Sequence, residues 1–218
     1  MERFADSHDS FYITEVAEQA NELAASIPQM LEKITLLQAA VNSIANVGLD
    51  ESDTPETSHG YIPLDLGEFF ASLFALERAL INDVDYQHAE LRHRPCTFLE
   101  VGCGPGRITH LLGCTDRFNF DKIHGFDISK AMIKAGRERY GLGSDLFVAD
   151  CLTFDYSGYD VVYFYRPLSD DDAETAFETR LIETLKPGAL IMGAGQVSLD
   201  DNRKVVPKDE QHSIYKVL

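Results

Sequence analysis

Two rhythms of apolar and polar residues divide this chain. Up to about residue 94, apolar positions return every three or four residues, the period of an amphipathic helix. Between Phe11 and Ile27 the series is Val16, Ala20, Leu23, Ala24 and Ile27. Pro28 interrupts it and suits the first turn of a second helix, which carries Leu31, Ile34, Leu37, Val41 and Ile44 on one face and stops near Gly48. The stretch GLDESDTPETSHG, Gly48 to Gly60, is acidic, holds a proline and has almost nothing apolar, so it reads as a flexible loop. A third helix is predicted from about Asp65 to Glu90. Leu66, Phe69, Phe70, Leu73, Phe74, Leu76, Leu80, Ile81 and Val84 make it apolar over most of its surface. A helix apolar that far round is buried on several sides or covers a pocket.

From Pro95 the rhythm shortens. Strands are predicted at Thr97–Val101, Lys122–Phe126, Leu146–Ala149, Asp160–Tyr165 and Ala189–Met192. Helices fill the gaps, from Gly106 to about Leu112, from Ser129 to Tyr140 with Gly141 ending it, and from about Asp170 to Leu185 before KPG. The unbroken apolar and aromatic run of the fourth strand suggests burial on both faces. Strands alternating with helices imply right-handed βαβ units and a parallel sheet. The 23 residues after Gly195 leave room for a hairpin, or for one last strand at Ser213–Leu218, but hardly for a further helix.

Composition narrows the function classes. An apolar fraction of 44% is enough for a packed core. The net charge is −17, unevenly spread: residues 1–95 hold 17 acids and 5 bases (−12), residues 96–218 hold 19 acids and 14 bases (−5). A polyanion is repelled by such a surface and no basic stripe offsets it, so DNA or RNA is disfavoured as a partner. No run of 18 apolar residues occurs, and MERFADSHDS lacks the basic start and apolar core of a signal peptide. The expectation is an acidic cytoplasmic protein with no membrane partner. Cys96, Cys103, Cys114 and Cys151 show no C-x-x-C spacing, which reads as small buried thiols rather than a metal site or disulfide framework.

The chemistry concentrates in CTFLEVGCGPGRIT, Cys96 to Thr109. Gly102, Gly104 and Gly106 close the first parallel strand and open the next helix, where a tight turn lets a ligand touch the backbone and amide donors face it. The spacing is G-x-G-x-G rather than the G-x-G-x-x-G of dinucleotide folds, and Arg107 stands where their third glycine would be. Glu100 lies two residues before the first glycine. A carboxylate there opposes a pyrophosphate and welcomes an ammonium group, so the occupant expected is a nucleoside cofactor with a positively charged tail.

LEVGCGPG, Leu99 to Gly106, resembles the first motif of the class I S-adenosylmethionine-dependent methyltransferases. Four more segments follow in the order of that superfamily: HGFDIS (His124 to Ser129), LFVADC (Leu146 to Cys151), YDVVYFYRPL (Tyr159 to Leu168) and LKPGALIM (Leu185 to Met192). The resemblance covers about residues 96–195. It implies an α/β fold, a Rossmann-like, mostly parallel twisted sheet with helices on both faces. To this the helical pattern adds an N-terminal helical cap or lid, residues 1–94, over a domain at 95–218 with a shortened or antiparallel C-terminal edge. It also implies S-adenosyl-L-methionine as cofactor and S-adenosyl-L-homocysteine as product. The glycine turn, with Gly102, Cys103, Gly104 and Gly106, would wrap the methionine half, and Glu100 would hold its amino end. Asp127, with Ile128 beside it, would take the ribose hydroxyls. Asp150 would meet the adenine amino group, with Cys151 along the ring edge.

The acceptor side is less determined. The loop after the fourth strand reads Tyr-Arg-Pro-Leu, not the Asn/Asp-Pro-Pro-Tyr/Phe of many amino-group methyltransferases. Arg166 grips a carboxylate or phosphate, or pairs on the surface with one of Asp170–Asp172. Tyr165 packs over the cofactor or positions the acceptor. His59 and Tyr61 close over the site, with His59 as base, or merely begin the third helix. SDDDAE, Ser169 to Glu174, invites a metal reading, but the spacing of Ser169 and Asp172 resembles a capping box and acids suit a first helical turn, so no metal is expected. The expected reaction is methyl transfer to an oxygen or nitrogen of a small molecule or a peptide. The rival readings are a cofactor-binding module without turnover, acting as a partner subunit or dimerising through its N-terminal helices, and a nicotinamide-dependent oxidoreductase.

Overall fold

The computed structural model describes residues 49–60, 62, 65–88, 92–115 and 118–218. The two helices expected before Gly48, and Tyr61, lie outside the described residues. Helix α1, Leu66–Ile81, starts at Asp65, whose carboxylate accepts the Glu68 amide at 3.0 Å. It buries Phe69, Leu73, Ala75, Leu76 and Leu80 against the sheet, each of the four larger side chains contributing roughly 1.5–3 kcal/mol. It ends nine residues before the expected Glu90. Asn82 caps it, and Asp83 turns back to accept the Asp85 amide at 3.1 Å, so the chain leaves the helix. The buried Asp83 carboxylate also takes Lys216 Nζ at 2.6 Å and Lys208 Nζ at 3.1 Å, which ties the helix end to the far edge of the sheet.

Two short strands, β1 (Gln87–His88) and β2 (Arg92–His93), pair antiparallel and lead into the main sheet. That sheet contains β3 (Cys96–Val101), β4 (Phe120–Asp127), β5 (Leu146–Val148), β6 (Val161–Tyr165), β7 (Leu190–Ala194), β8 (Val205–Asp209) and β9 (Ile214–Val217). The crossovers carry α2 (Arg107–Gly113), α3 (Lys130–Tyr140) and α4 (Asp171–Thr184). The order is β5-β4-β3-β6-β7-β9-β8. β3 to β7 run parallel, and β9 inserts antiparallel between β7 and β8. The C-terminal edge is therefore antiparallel, the second of the two expected forms, rather than shortened: the hairpin and the last strand both form, with no helix between β7 and β8. α1 occupies part of that side, packing on β8 and β9.

The parallel core is apolar on both faces, as the run in β6 implies. One cluster joins Phe98, Val161, Tyr163 and Met192 to α1. The other joins Leu99, Val162, Phe164 and Ile191 to Phe177, Leu181 and Ile182 of α4. The chain first builds β4 and β5 on one side of β3, then returns to place β6 on the other. A crevice therefore opens beyond the carboxyl ends of β3 and β6, the switch point where open α/β sheets bind ligands.

Candidate active site

The glycine turn leaves β3 at Val101. Gly102, Gly104 and Gly106 all have left-handed φ, of 68°, 53° and 73°. At Gly102 a side chain would also meet Pro167 Cβ at 3.2 Å. The turn is tied to the second strand end, where Cys103 N donates to Phe126 O at 2.9 Å and Gly104 N to Asp127 Oδ2 at 2.8 Å. Asp127 Oδ1 accepts the Ser129 amide at 2.9 Å, and Ser129 caps α3 through the Met132 amide at 3.0 Å. Burial pushes the Asp127 carboxyl upward against these bonds.

Glu100 is buried beside the turn. Its Oε2 accepts the Thr109 amide at 3.0 Å and the Thr109 hydroxyl at 2.8 Å, so the first turn of α2 holds it. Burial drives its pKa up to about 8; the Thr109 bonds and Arg107 work against that and Asp127 adds to it. At the third strand end Asp150 Oδ1 accepts the Leu152 amide at 2.9 Å. The Cys151 thiol is raised to about 12, by burial first and then by Asp150 and Glu174, so it is a packing group and not a nucleophile.

One cavity, about 1220 Å³ including its open mouth, brings these groups together. Glu100, Gly102, Cys103, Gly104, Asp127, Ile128, Asp150 and Cys151 all line it. Gly106 does not. Its left-handed turn packs where a side chain would come within 2.6 Å of Leu146, so it serves the joint between turn and sheet. His59, Tyr165 and Arg166 line it as well. Arg166 also makes the surface ion pair that the sequence left as an alternative, with Asp171.

Sequence reasoning missed Thr109, Arg107 and Tyr163. Arg107 and Tyr163 line the cavity, and Thr109 holds Glu100 behind it. Tyr163 was readable: it is two residues before Tyr165, so strand alternation puts both on one face. Thr109 had no signal, because its role arises only when α2 folds back over β3.

The acidic stretch departs most from expectation. It is fastened across the cavity rather than left flexible. Asp53 accepts Ser129 Oγ at 2.5 Å and Ala131 N at 3.2 Å, at the start of α3. Six residues on, His59 N donates to Pro167 O at 3.3 Å and Ser169 N to Thr57 O at 3.0 Å, around a bridge between Ser58 and Leu168. One carboxylate of a stretch that reads as solvated serves a helix terminus here, and its backbone groups pair with a loop. The cap of α4 is also shifted by one residue: Asp170, not Ser169, accepts the Ala173 amide, at 3.0 Å. Among the described residues, no cluster of three or more His, Cys, Asp or Glu is arranged to hold a metal ion, and no helix is long and apolar enough to cross a membrane.

The strand order, the glycine turn on the central strand and the acids ending the next two strands define the Rossmann-like fold of class I methyltransferases. Residues 98–188 match the family model described as methyltransferase domain. A curated relative, carboxy-S-adenosyl-L-methionine synthase of Campylobacter fetus, is 30% identical over 103 residues, 43% of this chain. This chain spans only 42% of that protein's length. Similar solved structures include an RNA methyltransferase from Salinibacter ruber in complex with S-adenosyl-L-homocysteine, at 17% identity, covering 71% of this chain and 91% of that one with a TM-score of 0.47. Another is CalS10, an amino pentose methyltransferase from Micromonospora echinaspora with bound S-adenosylmethionine, at 21% identity, covering 62% and 58% with a TM-score of 0.42.

The sequence motifs imply S-adenosyl-L-methionine as cofactor, and the donor set here fits it. Each Asp127 oxygen accepts one amide and keeps a further lone pair for a hydroxyl. Glu100 offers a buried carboxylate to a cation, and the positive-φ glycines keep the turn free of side chains.

Proposed function

We propose that this chain transfers a methyl group from S-adenosyl-L-methionine to an oxygen or nitrogen of a small molecule or peptide, releasing S-adenosyl-L-homocysteine. One observation carries the reading: Glu100, the glycine turn, Asp127 and Asp150, drawn from three strand ends, line a single cavity at the switch point of the sheet. When bound, the cofactor supplies a strongly electrophilic sulfonium methyl, so the hard chemistry is its own. The chain's part is to orient and to exclude water, and orientation alone is worth up to about 7–11 kcal/mol.

Glu100 meets the ammonium of the methionine tail. Asp127 accepts from the ribose hydroxyls and Asp150 from the adenine amino group. Residues 57–60 and the loop 165–168, joined by the Ser58–Leu168 bridge, enclose the acceptor side. Within it Tyr165 positions the acceptor and His59 accepts its proton as the nucleophile attacks. The glycine spacing and Glu100 oppose a dinucleotide in the same place.

Calorimetric titration with S-adenosylmethionine, S-adenosylhomocysteine and NAD, followed by transfer of labelled methyl to a panel of amines, alcohols and peptides, tests this. Binding of the first two but not NAD, with labelled product, is expected. Binding of NAD alone overturns the cofactor. Tight S-adenosylhomocysteine binding with no acceptor methylated favours a binding module instead.

A further inference from the structure

Arg166 stands in an unusual backbone. Among the described residues only Arg166 and Ser213 combine a side chain with positive φ, and that of Arg166 is 36°. The conformation is held from β7: Arg166 N donates to Ala194 O at 3.1 Å, and the bare Gly195 leaves room where a Cβ would come within 3.3 Å of Arg166 Cβ. Strain of this kind persists only when the surroundings enforce it, and it gathers at ligand sites. The bend brings the side chain to the cavity wall.

The guanidinium is only partly satisfied there. Nη2 pairs with Oδ1 of Asp171, whose side chain is 71% exposed. Nε is buried and has no partner. A donor left in that state is costly, whereas an exposed ion pair contributes little and is readily exchanged. Nε and a terminal nitrogen form the fork that matches the two oxygens of a carboxylate or phosphate. Tyr165, Ser58 and Thr57, which carry hydroxyls, line the same cavity. Glu100 and Arg107 stand together beside the glycine turn, where the two charges of the methionine tail would be met, which leaves Arg166 to the other ligand.

We propose that the acceptor carries an oxyanion, a carboxylate or phosphate, and that Arg166 binds it through Nε and Nη2 with displacement of Asp171. The inference rests on the methyl-transfer reading and adds the substrate class. It makes Arg166 a specificity residue, and the nucleophile is then a hydroxyl or a deprotonated amine elsewhere on an anionic molecule, its proton passing to His59.

The test uses benzoate and phenyl phosphate as probes and benzamide as the uncharged control. Each is titrated into protein saturated with S-adenosylhomocysteine, read by calorimetry and by the Arg166 Nε–Hε nuclear magnetic resonance signal. Saturable binding of at least one anion, and none of benzamide, is expected. Arg166→Gln should weaken it by at least about tenfold, Arg166→Lys should restore part, and Asp171→Asn should tighten it. S-adenosylhomocysteine affinity should stay within about threefold of the original in all three. Absence of anion binding, or equal binding by Arg166→Gln, overturns the proposal. So does an Arg166→Gln protein that loses S-adenosylhomocysteine affinity but keeps that for 5′-methylthioadenosine, which lacks the amino-acid tail, because Arg166 then serves the cofactor carboxylate. Should Arg166→Gln fail to fold, unchanged anion affinity in Asp171→Asn overturns the proposal and tighter binding supports it. Failure of S-adenosylhomocysteine to bind sinks the cofactor reading alone, and the anion titrations on the free protein still decide the arginine site.

Discussion

The carboxylate of Asp53 sits on the first turn of α3, accepting Ser129 Oγ at 2.5 Å and the Ala131 amide at 3.2 Å across 76 and 78 residues of chain. Ser129 in turn donates its amide to Asp127, so the strap and the candidate ribose acid share one neighbour. The position also favours a negative charge at the helix N-terminus.

Asp53→Ala should therefore loosen the strap without unfolding the sheet. The hydroxyl bond to Ser129 is what chiefly holds the Asp53 carboxyl below its ordinary range. With a depressed pKa, the latch is in place above the ordinary carboxylate range and is released as pH falls through the lowered value. Hydrogen exchange at His59 and Ser169, whose amides are bonded across the strap, should quicken in Asp53→Ala at neutral pH and in the parent protein on acidification. Unchanged exchange would show that the strap is held elsewhere.

Glu100 should make cofactor binding depend on pH. Burial first of all raises it to about 8, so at neutral pH the free protein holds this carboxyl mostly protonated. An ammonium group beside it favours the ionised form, so binding expels a proton. Affinity for S-adenosylhomocysteine should rise with pH, by up to about tenfold per unit below about pH 8, and then level off. The same raised value means the folded state holds more protons than the unfolded state, so this group's stability contribution is lost as pH rises to about 8. Calorimetry in buffers of different ionisation enthalpy counts the proton released. Glu100→Gln should abolish the release. A parent protein that releases none would remove Glu100 from contact with the tail.

Asp127 and Gly104 should fail together. Gly104→Val puts a β-branched residue at φ 53°, and Asp127→Ala strips the acceptor from the Gly104 and Ser129 amides. Either change should weaken S-adenosylhomocysteine binding by at least about tenfold while far-ultraviolet circular dichroism stays native. Asp127→Asn is the finer probe. It retains one acceptor oxygen and turns an amide donor toward one of the two N–H groups, so it should fall well short of restoring affinity.

Gly136, in the middle of α3, reverses the usual expectation for a helical glycine. Alanine there ordinarily gains about 1 kcal/mol. Here its Cβ would lie 2.1 Å from Pro105 O, in the glycine turn, and 2.7 Å from Leu146 Cδ1. Gly136→Ala should destabilise by about 1–3 kcal/mol or more and displace the turn, seen as a lower denaturant midpoint together with weaker cofactor binding.

These residues also mark what could be read from the chain. The parallel strands were legible because Val161 to Phe164 and Leu190 to Met192 are apolar runs buried on both faces. The three acids at strand ends were legible because each sits at a fixed place in a local motif. Gly136 was not, since nothing nearby in sequence announces that Pro105 will press on it. Asp53 was not, since a solvated acid and a helix latch have the same local composition. Asn82 and Asp83 are turn residues set within an apolar run, so the periodicity carries the third helix nine residues past its end at Ile81. Local periodicity reports elements and strand ends; contacts across more than seventy residues it does not report.

Glu174 provides a last test, of the loop that carries Arg166. It is fully buried on α4, and its Oε2 accepts the Leu168 amide at 3.0 Å while Oε1 has no partner. Burial, then Glu178 one turn further on, raise its pKa to about 7 against the bond from Leu168. The folded protein thus binds this proton more tightly than the unfolded chain does. Its contribution to stability is complete below the ordinary glutamate range, near 4.5, and is lost as pH climbs to about 7. Glu174→Gln resembles the protonated form and keeps an acceptor for Leu168, so it should match the parent near pH 5 and exceed it in melting temperature near pH 8. Taking the difference between the two proteins removes the parallel titration of Glu100. Glu174→Ala strands the Leu168 amide and should lose about 1–3 kcal/mol at either pH. If the parent and Glu174→Gln melt with the same pH dependence, the carboxyl is not the protonated anchor that its burial implies.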